Sequence, residues 1–343
     1  MTMRWLAAVR ICLLSALQLF AGSAGMAVVV APLLWLWPDA ASAQKFPSKP
    51  LRIVVRAPPG GADDLHARVM APRLGDVLGQ RVIPDYRPGA GGLVAWEIVA
   101  KSPPDGYTLL LAASGLAAIR SLRADATAVD PWRDFAWVSQ VANFPLVLTV
   151  HPSLPTKTLK DLVALARKRP GELNYGSSGV GATPHLAAEY FKAVAKIDIR
   201  HVPYKGASPM YLDLLGGRIE MGASVIGSAI PHIRNGKLRA MGVTSVTRSA
   251  QLPEAPTIAE GGFPGFEFLP FYALVVAAGT PREIVSTLSE AIGKTISTPE
   301  VREQIIRAGS EPASNTPEQM LQLARKGAAQ IEEIVRTANI KPE

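Results

Sequence analysis

The sequence predicts an α/β fold built on two mostly parallel sheets flanked by helices. Short apolar runs of strand length alternate with stretches of helical period, and loops rich in Gly, Pro and Ser separate them. The strands are too many for one small sheet and suit two of about five. With 48% hydrophobic and 19% charged residues in 343, the chain can bury a sizeable core.

Residues 1–43 stand apart. Arg4 and Arg10 precede an apolar run from Ile11 to Trp37, which Pro38 ends before Ala41-Ser42-Ala43. This is the layout of a cleavable secretory signal peptide, with a mature start near Gln44. The run is also long enough for an uncleaved anchor, but the small-residue site and the break at Pro38 are what a signal peptidase needs. Arg10 before Cys12 does not suit a lipidation site. Cys12 is the only cysteine, so the exported chain would have neither disulfide nor thiolate, which fits a bacterial periplasm.

LRIVV (51–55), YTLLLA (107–112), PLVLTV (145–150), IEMGASV (219–225), LRAMGV (238–243) and YALVVAA (272–278) read as buried strands. Thr158 with Asp161 three residues on caps a helix that Pro170-Gly171 closes, and Ser208-Pro209 opens another that stops at Gly216-Gly217. The stretch from Asp63 to Gly79 holds Pro72 and Gly75, so a kink or break is expected there, because an interior proline costs about 3 kcal/mol. No internal repeat or low-complexity tract is present. The expected organisation is one domain from 44–145 plus 270–343 and a central one from 146–269, with crossings near 145–151 and 268–277.

Formal charge is +8, and +7 once residues 1–43, with two arginines and one aspartate, are set aside. The excess can concentrate anionic ligands, but the scattered basic residues show no nucleic-acid stripe. The stretch from Gly176 to Val180 lacks the last glycine of a nucleophile elbow, so a secreted hydrolase using Ser177 or Ser178 is the weaker reading. A phosphate loop is absent, and PGAGGLVAW (88–96) has Val94 where a dinucleotide fingerprint needs its third glycine. His66, His151, His185, His201 and His232 show no ligand spacing, and Asp63-Asp64 reads as helix capping, so neither a metal nor a cofactor is expected. What remains are strand-end loops at 57–64, 113–115, 176–183 and 204–208 that deliver helix N-termini, where backbone N–H groups can hold a carboxylate.

These loops carry a specific resemblance. FPSKPLRIVV (46–55), PPGG (58–61), YRPGAGG (86–92), KSPPDGYTLLL (101–111), NYGSSGVGATPHLAAEYF (174–191), HVPYKGASP (201–209), DLLGGRIE (213–220), PHIRNGKLRAMGVTS (231–245), PTIAEGGFPGFE (256–267) and AGTP (278–281) occur in the order seen in the Bug-type periplasmic receptors of tripartite tricarboxylate transporters. The chain resembles that family over nearly its full mature length. The resemblance implies a two-domain, type II periplasmic binding protein, or flytrap, without enzymatic activity. As a monomer it would close on a small organic acid and hand it to membrane permease subunits, or else to a sensor. An anchored surface adhesin is a more distant alternative.

The ligand carboxylate is then expected between Pro58, Pro59, Gly60, Gly61, Ala62 and Asp63 on one side and Ser177, Ser178, Gly179, Gly181 and Thr183 on the other. Ser114, Tyr204 and Lys205 lie on neighbouring loops. Hydroxyls would donate, and glycines would allow close backbone approach. Arg56-Ala57 stands where relatives carry proline and an aromatic residue; Arg56 either offers a bidentate carboxylate contact or points to solvent. Leu93 replaces a common Asn, and Trp96 either lines the cleft or packs between helices. Ser224 replaces an acidic residue, which implies a plain carboxylate, aromatic or apolar in body, over an amino acid.

Overall fold

The computed structural model describes residues 46–60, 62–122 and 129–341. Residues 1–43, where a signal peptide is expected, and Gly61 lie outside them. Residues from Phe46 onward cluster as one compact unit. In chain order its first elements are β1 (Leu51–Val55), α1 (Ala62–Leu78), β2 (Val82–Tyr86), α2 (Leu93–Ala100), β3 (Thr108–Ala113), α3 (Ile119–Leu122) and β4 (Phe135–Asn143). A second group follows: β5 (Leu146–Val150), α4 (Leu159–Lys168), β6 (Asn174–Ser177), α5 (Thr183–Ala195), β7 (Arg200–Pro203), α6 (Ala207–Leu215), β8 (Met221–Val225), α7 (Ile226–Arg234) and β9 (Arg239–Val243). The chain ends with β10 (Phe271–Ala277), α8 (Arg282–Ile296), α9 (Pro299–Arg307), β11 (Glu311–Pro312) and α10 (Pro317–Thr337).

The first sheet has the order β11-β4-β10-β3-β1-β2 and the second β7-β6-β8-β5-β9. Both are mixed, which corrects the mostly parallel expectation. β2, β1 and β3 are parallel, as are β7, β6 and β8, each joined in sequence through a helical crossover. β5 and β10, the first strand on each entry from the other sheet, are inserted antiparallel to both neighbours. The two passages lie side by side, Phe144 N–H donating to Pro270 O at 2.9 Å.

The six runs read as strands all form strands. β2 holds Pro84 and is tolerated because it is an edge strand. α1 runs unbroken through Pro72, against expectation. Its Met70 and Leu74 are fully buried under the first sheet, and each contributes about 1.5–3 kcal/mol, enough to offset the lost hydrogen bond. Thr158 forms the anticipated capping box with Asp161.

One apolar cluster spans both sheets and takes in Met320, Ala324, Ala328, Ile331 and Ile334 of α10. At one further point the two sheets' connecting segments meet through backbone. At the start of α7, a Cβ added to Gly227 would lie 2.7 Å from Ala308 O, and one added to Gly309 would lie 2.4 Å from Gly227 N. No side chain fits between them.

Candidate functional site

A cavity of about 490 Å³ is lined from both sheets, by residues at or just past the carboxyl ends of β1, β3, β6 and β8. This is where open α/β sheets bind ligands. On the side of the second sheet, Ala182, Thr183 and Pro184 place the N-terminus of α5 on the wall. Ala182 is the N-cap and has no side chain that could accept from the first turn. The helix end, carrying about half a positive charge, is therefore offered to the cavity. Ala207 of α6 and Val225, the N-cap of α7, also line it, and neither helix has a side-chain cap.

The loop before α5 is braced from behind. Ser177 is fully buried, and its Oγ shares a 2.7 Å hydrogen bond with His201 Nε2. The same Oγ donates to Gly179 O at 3.0 Å and accepts from Gly179 N–H at 3.2 Å. His185 Nδ1 accepts from Gly181 N–H at 3.1 Å, and the two imidazoles stack with centroids 4.0 Å apart. Gly179 and Gly181 have φ of 140° and 69°, conformations that glycine adopts without strain. Burial, and secondarily the Lys192 charge, push His185 down to about 4. Burial and then His185 itself push His201 down to about 4. Both rings are neutral at neutral pH, and the bond accepted by His185 requires this of His185 itself.

On the side of the first sheet, Arg56, Trp96 and Tyr272 line the cavity. Arg56 Nε contacts Asp63 Oδ2 at 2.8 Å, and Asp63 Oδ1 accepts from Tyr272 OH at 3.1 Å. Burial, reinforced by Asp63, raises the Tyr272 phenol well above its ordinary value, so it stays a donor. Trp96 is 4% exposed, and its Nε1–H meets no acceptor among the described residues; an unpaired buried N–H costs about 1–3 kcal/mol. Ser224 accepts from Tyr211 OH at 2.8 Å, with Ser228 Oγ at 3.2 Å from the same phenol.

Of the residues expected from sequence, the cavity brings together Arg56, Ser178, Gly179, Gly181, Thr183 and Ser224. Arg56, with 31% of its side chain exposed, and Trp96 are both on its lining. Pro58, Pro59 and Gly60 form an exposed turn off its wall. Ala57, Ala62 and Ser114 are not on the lining, although Ala113 and Gly115 are. Asp63 sits behind Arg56. Ser177 is turned inward to His201, Tyr204 OH donates to Asp213 at 2.8 Å, and Lys205 is exposed away from the lining. The apolar wall of Leu116, Ile119, Phe144 and Met210 was not read from the sequence as part of a site. Neither was Ser228, which the turn from β8 into α7 brings, with Ser224, within reach of Tyr211.

The model of the tripartite tricarboxylate transporter family receptor matches residues 66–340. The chain belongs to this receptor family. BugT of Bordetella pertussis is 36% identical over 316 residues, 90% of this receptor and 91% of BugT. A UPF0065 protein in the tcbD-tcbE intergenic region of Pseudomonas sp. strain P51 is 39% identical over 279 residues, 81% and 83% of the two chains. The solved structure of R. palustris Rpa4515 with adipate is 35% identical and superposes with a TM-score of 0.75, covering 87% of this receptor and 100% of that chain. The fold is that of the two-domain, type II binding proteins. The family consists of solute receptors, not enzymes, and the buried Ser177–His201 pair is accordingly a brace. Among the described residues, no helix of the receptor is long and apolar enough to cross a membrane.

Proposed function

We propose that this receptor, exported to the periplasm by its N-terminal signal peptide, captures a small organic carboxylate and delivers it to the membrane permease subunits of a tripartite transporter. The observation that carries this reading is the uncapped N-terminus of α5 opening onto the cavity beside Ser178 and Thr183. A carboxylate there would accept from backbone N–H groups and hydroxyls, each bond to the charged group netting about 1.5–3 kcal/mol. Three or four such bonds suffice for micromolar affinity after the costs of association. The adipate bound by Rpa4515 is an acid of this class.

The two lobes, 44–145 plus 270–343 and 146–269, would close about the paired passages at Phe144 and Pro270. Closure would exclude water and strengthen the same hydrogen bonds. A thermal-shift screen of mono-, di- and tricarboxylates and aromatic acids tests the reading: at least one acid raises the melting temperature in a saturable way. Failure of every acid to do so sinks it.

A further inference from the structure

The cavity has two polar poles, and only the one at α5 has been given a role. The other is formed by Arg56, at the end of β1, and Trp96, on α2, which converge on Gly92. A Cβ built at Gly92 would lie 3.0 Å from both Arg56 Cδ and Trp96 Cζ2, and 3.2 Å from Trp96 Cε2, the carbon bonded to Nε1. The guanidinium stem and the indole carbon that bears Nε1 therefore flank the same glycine.

This pole offers donors. Trp96 is 4% exposed, lines the cavity, and its Nε1–H has no acceptor among the described residues. Asp63, itself held by Tyr272, approaches Arg56 most closely at Nε, and no hydrogen bond among the described residues engages the two terminal amino groups. That anchors the stem and leaves both terminal amino groups of the fork for a planar acceptor pair. Asp63 is off the cavity wall, so it presents no acceptor for an ammonium group. Leu116, Ile119, Phe144 and Met210 supply an apolar lining to the same cavity.

We propose that Arg56 and Trp96 form a second carboxylate subsite, which makes the preferred ligand an acid with an apolar body and a carboxylate at each end. The proposal rests on the carboxylate reading of the α5 pole. Trp96 discriminates through one N–H, Arg56 through its fork, and Gly92 keeps the space that lets them act together.

Isothermal titration calorimetry on the purified protein tests it with the dicarboxylates succinate, glutarate, adipate, pimelate and suberate. Each is paired with the straight-chain monocarboxylate of the same length. For at least one length the dicarboxylate is expected to bind about tenfold or more tightly than its partner, the scale of one charged hydrogen-bonded contact. In Trp96→Phe, which keeps a ring, and in the charge-balanced double variant Arg56→Met/Asp63→Asn, that ratio falls toward one. Equal affinities in the wild type, or a ratio that survives both variants, overturns the subsite and leaves the α5 pole standing. Binding of no acid from either series overturns this proposal, and the carboxylate reading falls with it only if the aromatic and tricarboxylic acids of the thermal-shift screen fail as well.

Discussion

Ser177 Oγ lies 2.7 Å from His201 Nε2, and His201 stacks on His185, which accepts from Gly181 N–H. One pair of neutral imidazoles thus holds both ends of the loop that precedes α5. The arrangement has the residue types of a nucleophile and base, but the hydroxyl is fully buried.

Ser177→Ala removes the shared partner of His201 Nε2 and Gly179, and is expected to cost about 1–3 kcal/mol of stability, read from urea denaturation midpoints. A fluorophosphonate should leave the wild-type protein unlabelled. A covalent adduct at Ser177 or Ser178 would contradict the role of a brace.

The histidine pair also sets a pH dependence. Folding holds both at about 4, below the ordinary value near 6.5 of an unfolded histidine. The unfolded chain takes up protons first on acidification. Their contribution to stability is therefore complete above about pH 6.5, declines as pH falls toward 4, and changes little below that. Denaturation midpoints followed across this window should drop less steeply in His185→Gln/His201→Gln than in the wild type; parallel curves would show that other groups control the acid limb.

Gly92→Ala combines two penalties, a φ of 109° and a Cβ pressed against Arg56 and Trp96. Strain alone at such a position costs about 1–3 kcal/mol. Gly60→Ala, with φ 98° and no atom within 4 Å, carries strain without displacing a neighbour. Calorimetry with whichever acid binds should therefore show the greater loss of affinity in Gly92→Ala.

At the other pole, Thr183→Val keeps shape and removes a hydroxyl from the cavity wall. A lost hydrogen bond to a carboxylate, worth about 1.5–3 kcal/mol, corresponds to a roughly 10- to 150-fold weaker Kd. An unchanged Kd would move the anion away from α5.

The strands with continuous apolar runs were legible in the sequence, since LRIVV and YALVVAA are buried on both faces and read as nothing else. β6 was not, because four residues, NYGS, carry no periodicity. The antiparallel insertion of β5 and β10 was also invisible, as strand sense depends on how the chain enters each sheet and not on local composition. For the site, the glycines and hydroxyls of the α5 loop announced themselves by spacing. The partnership of Ser177 with His201 joins residues 24 positions apart, and no local signal distinguishes it from one with His185. The orientations of Arg56 and Trp96 stayed open in the sequence, because the space beside both depends on the missing side chain of Gly92, which carries no local signal.

At Gly227 and Gly309 the two halves of the molecule touch through main chain alone. Parting the glycines themselves would free no rotamers, so what resists it comes from their neighbours, Val225 among them, which packs against the core of the first sheet. Under the proposed closure, this edge can part and reseat with no glycine side chain to rearrange. The outline the receptor presents to a membrane partner would then report whether the cavity is filled, because bound cargo adds contacts to those that α10 already makes across both sheets.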